Sequence, residues 1–158
     1  MDEKSLSRSL FRRFNRFIIV PAFKMGLGRF LSNPLTGQVM VLKFKGRKTG
    51  KIYYTPVSYA VIDGKIYCYQ GKRLKGQWYL NLKANPKVEM LLPDGHLLGF
   101  AEEVINSQER ADAMRQILKS SGLGGFIYGF NPRTASDKLI QETIRDIPVV
   151  RITSSENK

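Results

Sequence analysis

"LKFKGRKTGKIYYTPVSY", residues 42–59, places two short apolar stretches on either side of a turn that carries Arg47, Lys48 and Lys51. The period here is two. From Gln38 onward Met40, Leu42 and Phe44 alternate with Val41, Lys43 and Lys45, which predicts a strand with one face in a core and the other reaching water at its end. Gly46 to Gly50 is turn material, and a second strand follows from about Tyr53 to Val61. "DG" at 63–64 makes a tight hairpin into a third strand, "KIYCYQ". Three strands joined by short turns are an antiparallel meander.

Working outward, "QWYLNLKANP" has helical spacing, with Trp78, Leu82 and Tyr79 toward one side, and stops before Pro86. "KVEMLL", a turn at Pro93 to Gly95, and "HLLGFAEEV" add two strands. Ser107 can cap a helix running to about Ser120, with Ala111, Met114, Ile117 and Leu118 as its inner stripe. A further helix from about Ser136 to Arg145 and a last strand "PVVRIT" complete the chain. Six strands with a few helices predict a mainly β, α+β fold. The expected form is a small, partly open β-barrel with helices over its openings, since closure removes exposed strand edges. Residues 1–35 read as an N-terminal helix and linker, and residues 36–158 as the barrel, within one domain overall. In the N-terminal segment, residues 8–20 are amphipathic. Arg8, Arg12, Arg13 and Arg16 share one arc and Leu10, Phe14, Phe17 and Ile18 the other, with Pro21 kinking or ending the helix. Such a helix either lays its basic and apolar faces on an anionic membrane surface or packs its apolar side on the barrel.

The 158 residues are 42% hydrophobic, enough to bury one core. With 26 Lys and Arg against 13 Asp and Glu the net charge is +13, which calls for an anionic partner: nucleic acid, an anionic membrane surface or a phosphorylated coenzyme. Cys68 is the only cysteine and His96 the only histidine. That excludes an internal disulfide and a multi-cysteine metal site and leaves no His cluster for zinc, while the lone His96, beside a Pro-Asp-Gly turn, is a poor candidate for the base of a Ser-His-Asp triad. No apolar run approaches the roughly 20 residues of a membrane span, and the acidic, polar start is unlike a signal peptide. A cytoplasmic protein, in peripheral membrane contact if residues 8–20 supply it, is the expectation.

The turn at 46–51 is the strongest local signal for chemistry. Gly46 and Gly50 let the backbone turn tightly and expose N–H groups, Arg47 and Lys48 can direct charge-assisted bonds at an oxyanion, and Thr49 adds a hydroxyl. The spacing is not that of a Walker A loop, so nucleotide hydrolysis is not indicated. The alternative is a solvated hairpin tip. A second basic turn, Gln70–Gly76, includes Gly71 and carries Lys72, Arg73 and Lys75; if the two turns converge, their cations form one anion site. Tyr53, Tyr54, Tyr59, Tyr67, Tyr69, Trp78 and Tyr79 thread the same region, either to stack on a planar ligand or to fill a core. Glu102 and Glu103 are adjacent in a strand and face opposite sides, which disfavours a paired-carboxylate mechanism, and His96 beside its turn reads as surface. The Gly-rich loop with Phe126, Tyr128 and Phe130 suits a flap over a pocket or a dimer contact.

Taken together, "LKFKGRKTGKIYYTPVSY" and "GQWYLNLKANPKVEM" make the chain resemble the deazaflavin (F420)-dependent nitroreductase family, within the FMN-binding split barrels, from about Gln38 to Leu92. The resemblance implies a deazaflavin coenzyme whose phosphate-bearing tail lies in a basic groove, and hydride delivery to a quinone, nitroaromatic or other planar acceptor. It assigns Arg47 and Lys48 to the tail phosphate, Pro56 and Val57 to the strand along the ring, and Trp78 and Asn81 to the helix that closes the site. Thr49, Gln70, Gly71, Lys72 and Arg73 join them as expected coenzyme contacts, and Tyr128 is the expected catalytic hydroxyl, assisting protonation of the acceptor. The chain has tyrosines in the segment 52–54 where the family commonly has another Arg, and "YQGKRLKG" where it commonly has a small Ser- or Gly-rich turn. FMN therefore stands as the alternative coenzyme. An oxidoreductase with no nucleic-acid partner, monomeric or homodimeric, is the leading reading; a basic barrel that binds single-stranded nucleic acid without enzymatic activity is its rival.

Overall fold

The computed structural model of the chain describes residues 15–32, 37–71 and 76–157. Six strands, β1 (Val39–Lys45), β2 (Ile52–Ile62), β3 (Lys65–Tyr69), β4 (Lys87–Leu92), β5 (Gly95–Glu103) and β6 (Val149–Ser154), close a barrel in the order β1-β2-β3-β6-β5-β4. Every neighbouring pair is antiparallel. The alternation in β1 is what fills it: Met40, Leu42 and Phe44 point inward onto Val57, Tyr59, Ile66, Cys68, Val88, Met90 and Ile152. The barrel expected from the alternation is the fold observed, closed all round rather than partly open, and it is the split β-barrel that the family resemblance implies.

Among the described residues, five α-helices decorate the barrel: α1 (Val20–Lys24), α2 (Gly28–Leu31), α3 (Gln77–Ala84), α4 (Ser107–Lys119) and α5 (Asp137–Thr143). The stripe Ala111, Met114, Ile117 and Leu118 of α4 is buried against Ile140 and Ile144 and against Ala60, Tyr67 and Val149 on the outside of the barrel. The cap of α4 is Asn106, not Ser107: its side chain accepts from the Glu109 N–H at 2.9 Å, and Ser107 becomes the first helical residue. Both types cap well, and "NS" leaves the choice to the geometry of the incoming chain. Ser136 caps α5 by accepting from the Leu139 N–H, but the helix ends at Thr143, short of Arg145, where residues 144–146 turn into β6.

On the other side, Val41 is fully buried, so the second face of β1 is not wet along its length. Val20 and Phe23 of α1 cover Val41 and Leu91. Pro21 neither ends nor breaks this segment. A π-helical turn, Asn15–Ile19, leads into α1, and Pro21 falls in the first α-turn, where its missing N–H is not required. Phe17 and Ile18 stay largely exposed, while the neighbouring Ile19 packs against the cluster of Val20, Phe23, Val41 and Leu91. Arg8, Leu10, Arg12, Arg13 and Phe14 lie outside the described residues.

One edge positions the functional site. β2 pairs with β1 from Ile52 to Ser58 but with β3 only from Tyr59 to Ile62, because the chain leaves the sheet after Tyr69. The Gly46 N–H donates to Lys51 O at 2.8 Å and the Tyr59 N–H to Gln38 O at 3.3 Å, which fixes the parity of the whole pair. Odd-numbered residues of β2 bond to β1, and the backbone groups of Tyr54, Pro56 and Ser58 turn to the edge that β3 leaves open. Pro56 fits there because the N–H it lacks is not needed by the β1–β2 ladder.

Candidate coenzyme and acceptor site

Against that open edge lies a cavity of about 960 Å³, at the upper end of the roughly 300–1,000 Å³ range of small-molecule sites. Residues 53–58 of β2 form its floor, residues 46–49 one end, Tyr69 to Gly71 another side, and Gln77, Trp78 and Asn81 of α3 its cover. The hairpin tip and the helix are joined through Arg47. Its N–H and its Nη1 both donate to Asn81 Oδ1, at 3.1 and 2.9 Å, and Nη2 donates to Gln77 Oε1 at 3.2 Å. Asn81 is 8% exposed, so this acceptor is held in place by packing. The guanidinium has five N–H donors, and the two bonds from it to α3 leave others for an anion. Gly46 is required because a Cβ there would meet the Tyr53 ring at 2.6 Å, and Gly50 adopts φ +70° to close the turn.

At the start of α3, Gly76 lets Gln70 pack beneath the helix. A Cβ at Gly76 would stand 1.9 Å from Gln70 Cδ, and Gln70 is 4% exposed while its N–H donates to Pro148 O. The aromatic residues divide in two. Tyr53, Tyr54, Tyr69 and Trp78 line the cavity, whereas Tyr59, Tyr67 and Tyr79 are core. Tyr53 stacks on Phe44, with ring centroids 6.1 Å apart, and Lys24 Nζ lies 4.0 Å from the centre of the Tyr54 ring.

Arg47, Lys48, Thr49, Pro56, Val57, Gln70, Gly71, Trp78 and Asn81 are thus gathered around one cavity. Lys72 and Arg73 lie outside the described residues. Tyr128 is not on the wall. Its ring packs beside Tyr69, centroids 6.4 Å apart, with the hydroxyls hydrogen-bonded, and with Phe130 it rests on the α4–α5 cluster. Glu102 and Glu103 do face opposite ways: Glu102 accepts from Arg151, and Glu103 from the Tyr79 hydroxyl. His96 is half exposed beside Glu89. Gln77 was missing from the sequence reading, although Gln77 and Asn81 stand one helical turn apart and so share a face. Thr55 and Ser58 were missing as well; their place on the wall follows from the pairing of β2, which no local pattern reveals.

A tricyclic or isoalloxazine-type ring with a phosphate-bearing tail fits these residues. The tip supplies cations and main-chain N–H groups, the open edge supplies in-plane donors and acceptors, and the aromatic walls supply flat apolar surface.

Comparison with known proteins agrees. The model of the family described as F420H(2)-dependent quinone reductase matches residues 19–123. No curated protein matches the chain. Among solved structures, the chain is similar to the conserved hypothetical protein Rv2991 of Mycobacterium tuberculosis, with TM-score 0.58 and 23% identity over 76% of this chain and 74% of that one. It is also similar to a 5-nitroimidazole antibiotic resistance protein of Bacteroides thetaiotaomicron, with TM-score 0.55 and 14% identity over 80% and 78% of the two chains. The haem storage protein HutZ of Vibrio cholerae matches with TM-score 0.55 and 11% identity over 87% and 90%. These likenesses establish the barrel; they do not by themselves choose its ligand. The matched segment spans the basic tip, the open strand edge and the covering helix, and the chain belongs to the F420H(2)-dependent quinone reductase family, oxidoreductases that act with a flavin-like coenzyme on small planar acceptors.

Proposed function

We propose that the coenzyme is the deazaflavin F420 and that the acceptor is a quinone or a similarly activated planar molecule. The observation that carries this reading is the clamping of a cationic hairpin tip onto α3 at one end of an open strand edge. Arg47 and Lys48 would hold the tail phosphate, with Thr49 beside them, and Pro56, Val57 and Trp78 would hold the ring. The coenzyme, when bound, supplies hydride chemistry. The cavity would hold the ring and the acceptor together, Trp78 and the tyrosines would exclude water, and the tyrosine hydroxyls would offer donors where negative charge develops on the acceptor oxygen. Such a transfer needs no histidine, thiolate or carboxylate pair, in keeping with the single His96 at the surface and with Cys68, buried in the barrel with its thiol pushed up to about 12.

Parallel fluorescence titrations with F420 and with FMN test the assignment. Expected is tight F420 binding that weakens about tenfold or more when Arg47→Ala and Lys48→Ala remove the charge-assisted bonds, and weaker FMN binding throughout. Preference for FMN overturns the choice of coenzyme and keeps the site. Binding of neither, together with no oxidation of reduced F420 by menadione, overturns the function.

A further inference from the structure

We propose that Tyr69, at the end of β3, is the hydroxyl that contacts the acceptor, and that Tyr128 is a positioning residue acting through it. The inference rests on the reading of the cavity as a coenzyme and acceptor site, and it assigns the donor within it. Tyr69 lines the cavity and Tyr128 does not.

Three tyrosines reach the wall, and their surroundings separate them. Tyr53 is stacked on Phe44 and lies against Gly46, at the basic tip. The face of Tyr54 carries Lys24, a contact made to α1 and not to the cavity. Tyr69 stands at the other end. The β2–β3 pairing stops at Tyr59 and Cys68, so Tyr69, still paired with Val149 of β6, stands beside Ser58 at the edge left open on β2. Between Tyr53 and Ser58 the strand advances roughly 17 Å, long enough to carry a fused ring between a phosphate at the tip and an acceptor near Tyr69.

The alternation of β3 explains why this residue and not its neighbour is available. Cys68 points into the barrel and Tyr69 points out of it, toward the loop that bears Tyr128. That loop packs on the α4–α5 cluster, so the contact from Tyr128 holds the Tyr69 ring from behind. Burial raises the pKa of Tyr69, and its hydrogen bond to Tyr128 only moderates the rise. The phenol therefore stays protonated and serves as a donor to an acceptor oxygen on which charge accumulates. "KIYCYQG" places a large aromatic hydroxyl where the family resemblance implies a small turn residue nearby, so this assignment is particular to the present chain.

Trp78 is the only tryptophan and lies on the cavity wall, so its fluorescence reports acceptor binding directly. The experiment titrates menadione into wild type, Tyr69→Phe, Tyr128→Phe and the double variant, with and without oxidised F420, and measures turnover with reduced F420. Expected for Tyr69→Phe is an affinity for menadione about tenfold weaker and a lower kcat, with F420 affinity unchanged. Tyr128→Phe should cost about threefold, and the double variant no more than Tyr69→Phe alone, since one residue acts through the other. Unchanged menadione binding in Tyr69→Phe, or a larger loss in Tyr128→Phe, overturns the assignment, and so do additive losses in the double variant. If wild type binds menadione but not F420, the coenzyme reading fails while the menadione series still decides the role of Tyr69.

Discussion

Arg47 shows how one side chain can serve both fold and site. Its backbone N–H and its guanidinium converge on the same atom, Asn81 Oδ1, so the position of the hairpin tip and the direction of its charge are set together. If Arg47 binds the coenzyme as proposed, Asn81 acts on it by holding Arg47 in place. Substituting Asn81→Ala leaves two donors without that acceptor and should cost about 1–2 kcal/mol of stability, and it should weaken F420 binding as the tip loosens. Asn81→Asp separates the two effects. It keeps an acceptor for both bonds and adds a negative charge that neutralises Arg47, so thermal stability should match wild type while F420 affinity falls about tenfold. Melting curves and coenzyme titration of the same two samples check this; an Asp variant that binds as tightly as wild type would remove Arg47 from the anion site. The sequence displayed Arg47, Lys48 and Asn81 individually. What it could not display was their meeting, because residues 34 positions apart are joined only by the packing of α3 over the barrel.

At the scale of elements, the joint between α4 and the barrel is electrostatic on its wet side and apolar beneath. Arg151 of β6 bridges Glu102 of β5 and Glu109 of α4, and the Tyr67 hydroxyl of β3 donates to the same Glu109. Burial acts to raise the Glu109 pKa, but the bonds from Tyr67 and Arg151, and the Arg151 charge, leave it below the ordinary glutamate range. A lowered folded-state pKa means that the unfolded chain takes up the proton first as pH falls. The contribution is therefore whole above the ordinary glutamate pKa of about 4.3 and disappears as pH drops through the lower folded-state value. Glu109→Gln keeps hydrogen bonding to Tyr67 but cannot titrate. Its melting temperature should be lower than wild type at pH 7, and the gap should narrow as the pH falls below the ordinary glutamate pKa of about 4.3, whereas a gap that stays constant on acidification would show that the carboxylate charge is irrelevant. The stripe on α4 was plain in the sequence because Ala111, Met114, Ile117 and Leu118 recur at helical spacing; the burial of Val41 was not, because it depends on α1 arriving from elsewhere.

For the whole molecule, the excess of thirteen positive charges acts at two ranges. Far from the surface it draws in any anion, and this is why composition alone admitted nucleic acid, membrane and phosphorylated coenzyme equally. Close in, only the cations fixed at the cavity discriminate, and Arg47 is fixed by α3. The two ranges respond differently to salt. Bulk attraction fades for every anion as the screening length shrinks from about 10 Å at 0.1 M to about 3 Å at 1 M, whereas apolar stacking of a ring under Trp78 is insensitive to it. F420 and the same deazaflavin ring lacking its phosphate tail should therefore part company. Between about 0.05 and 0.5 M NaCl the dissociation constant of F420 should rise about tenfold, and that of the tail-less ring should change less than about twofold. A random single-stranded oligonucleotide added at low salt sets the control. If it displaces F420 but not the tail-less ring, the tip is a general anion site and the ring pocket alone confers selectivity. If it displaces neither, the clamp on Arg47 has made the tip specific for a phosphate delivered by a ring already seated along β2.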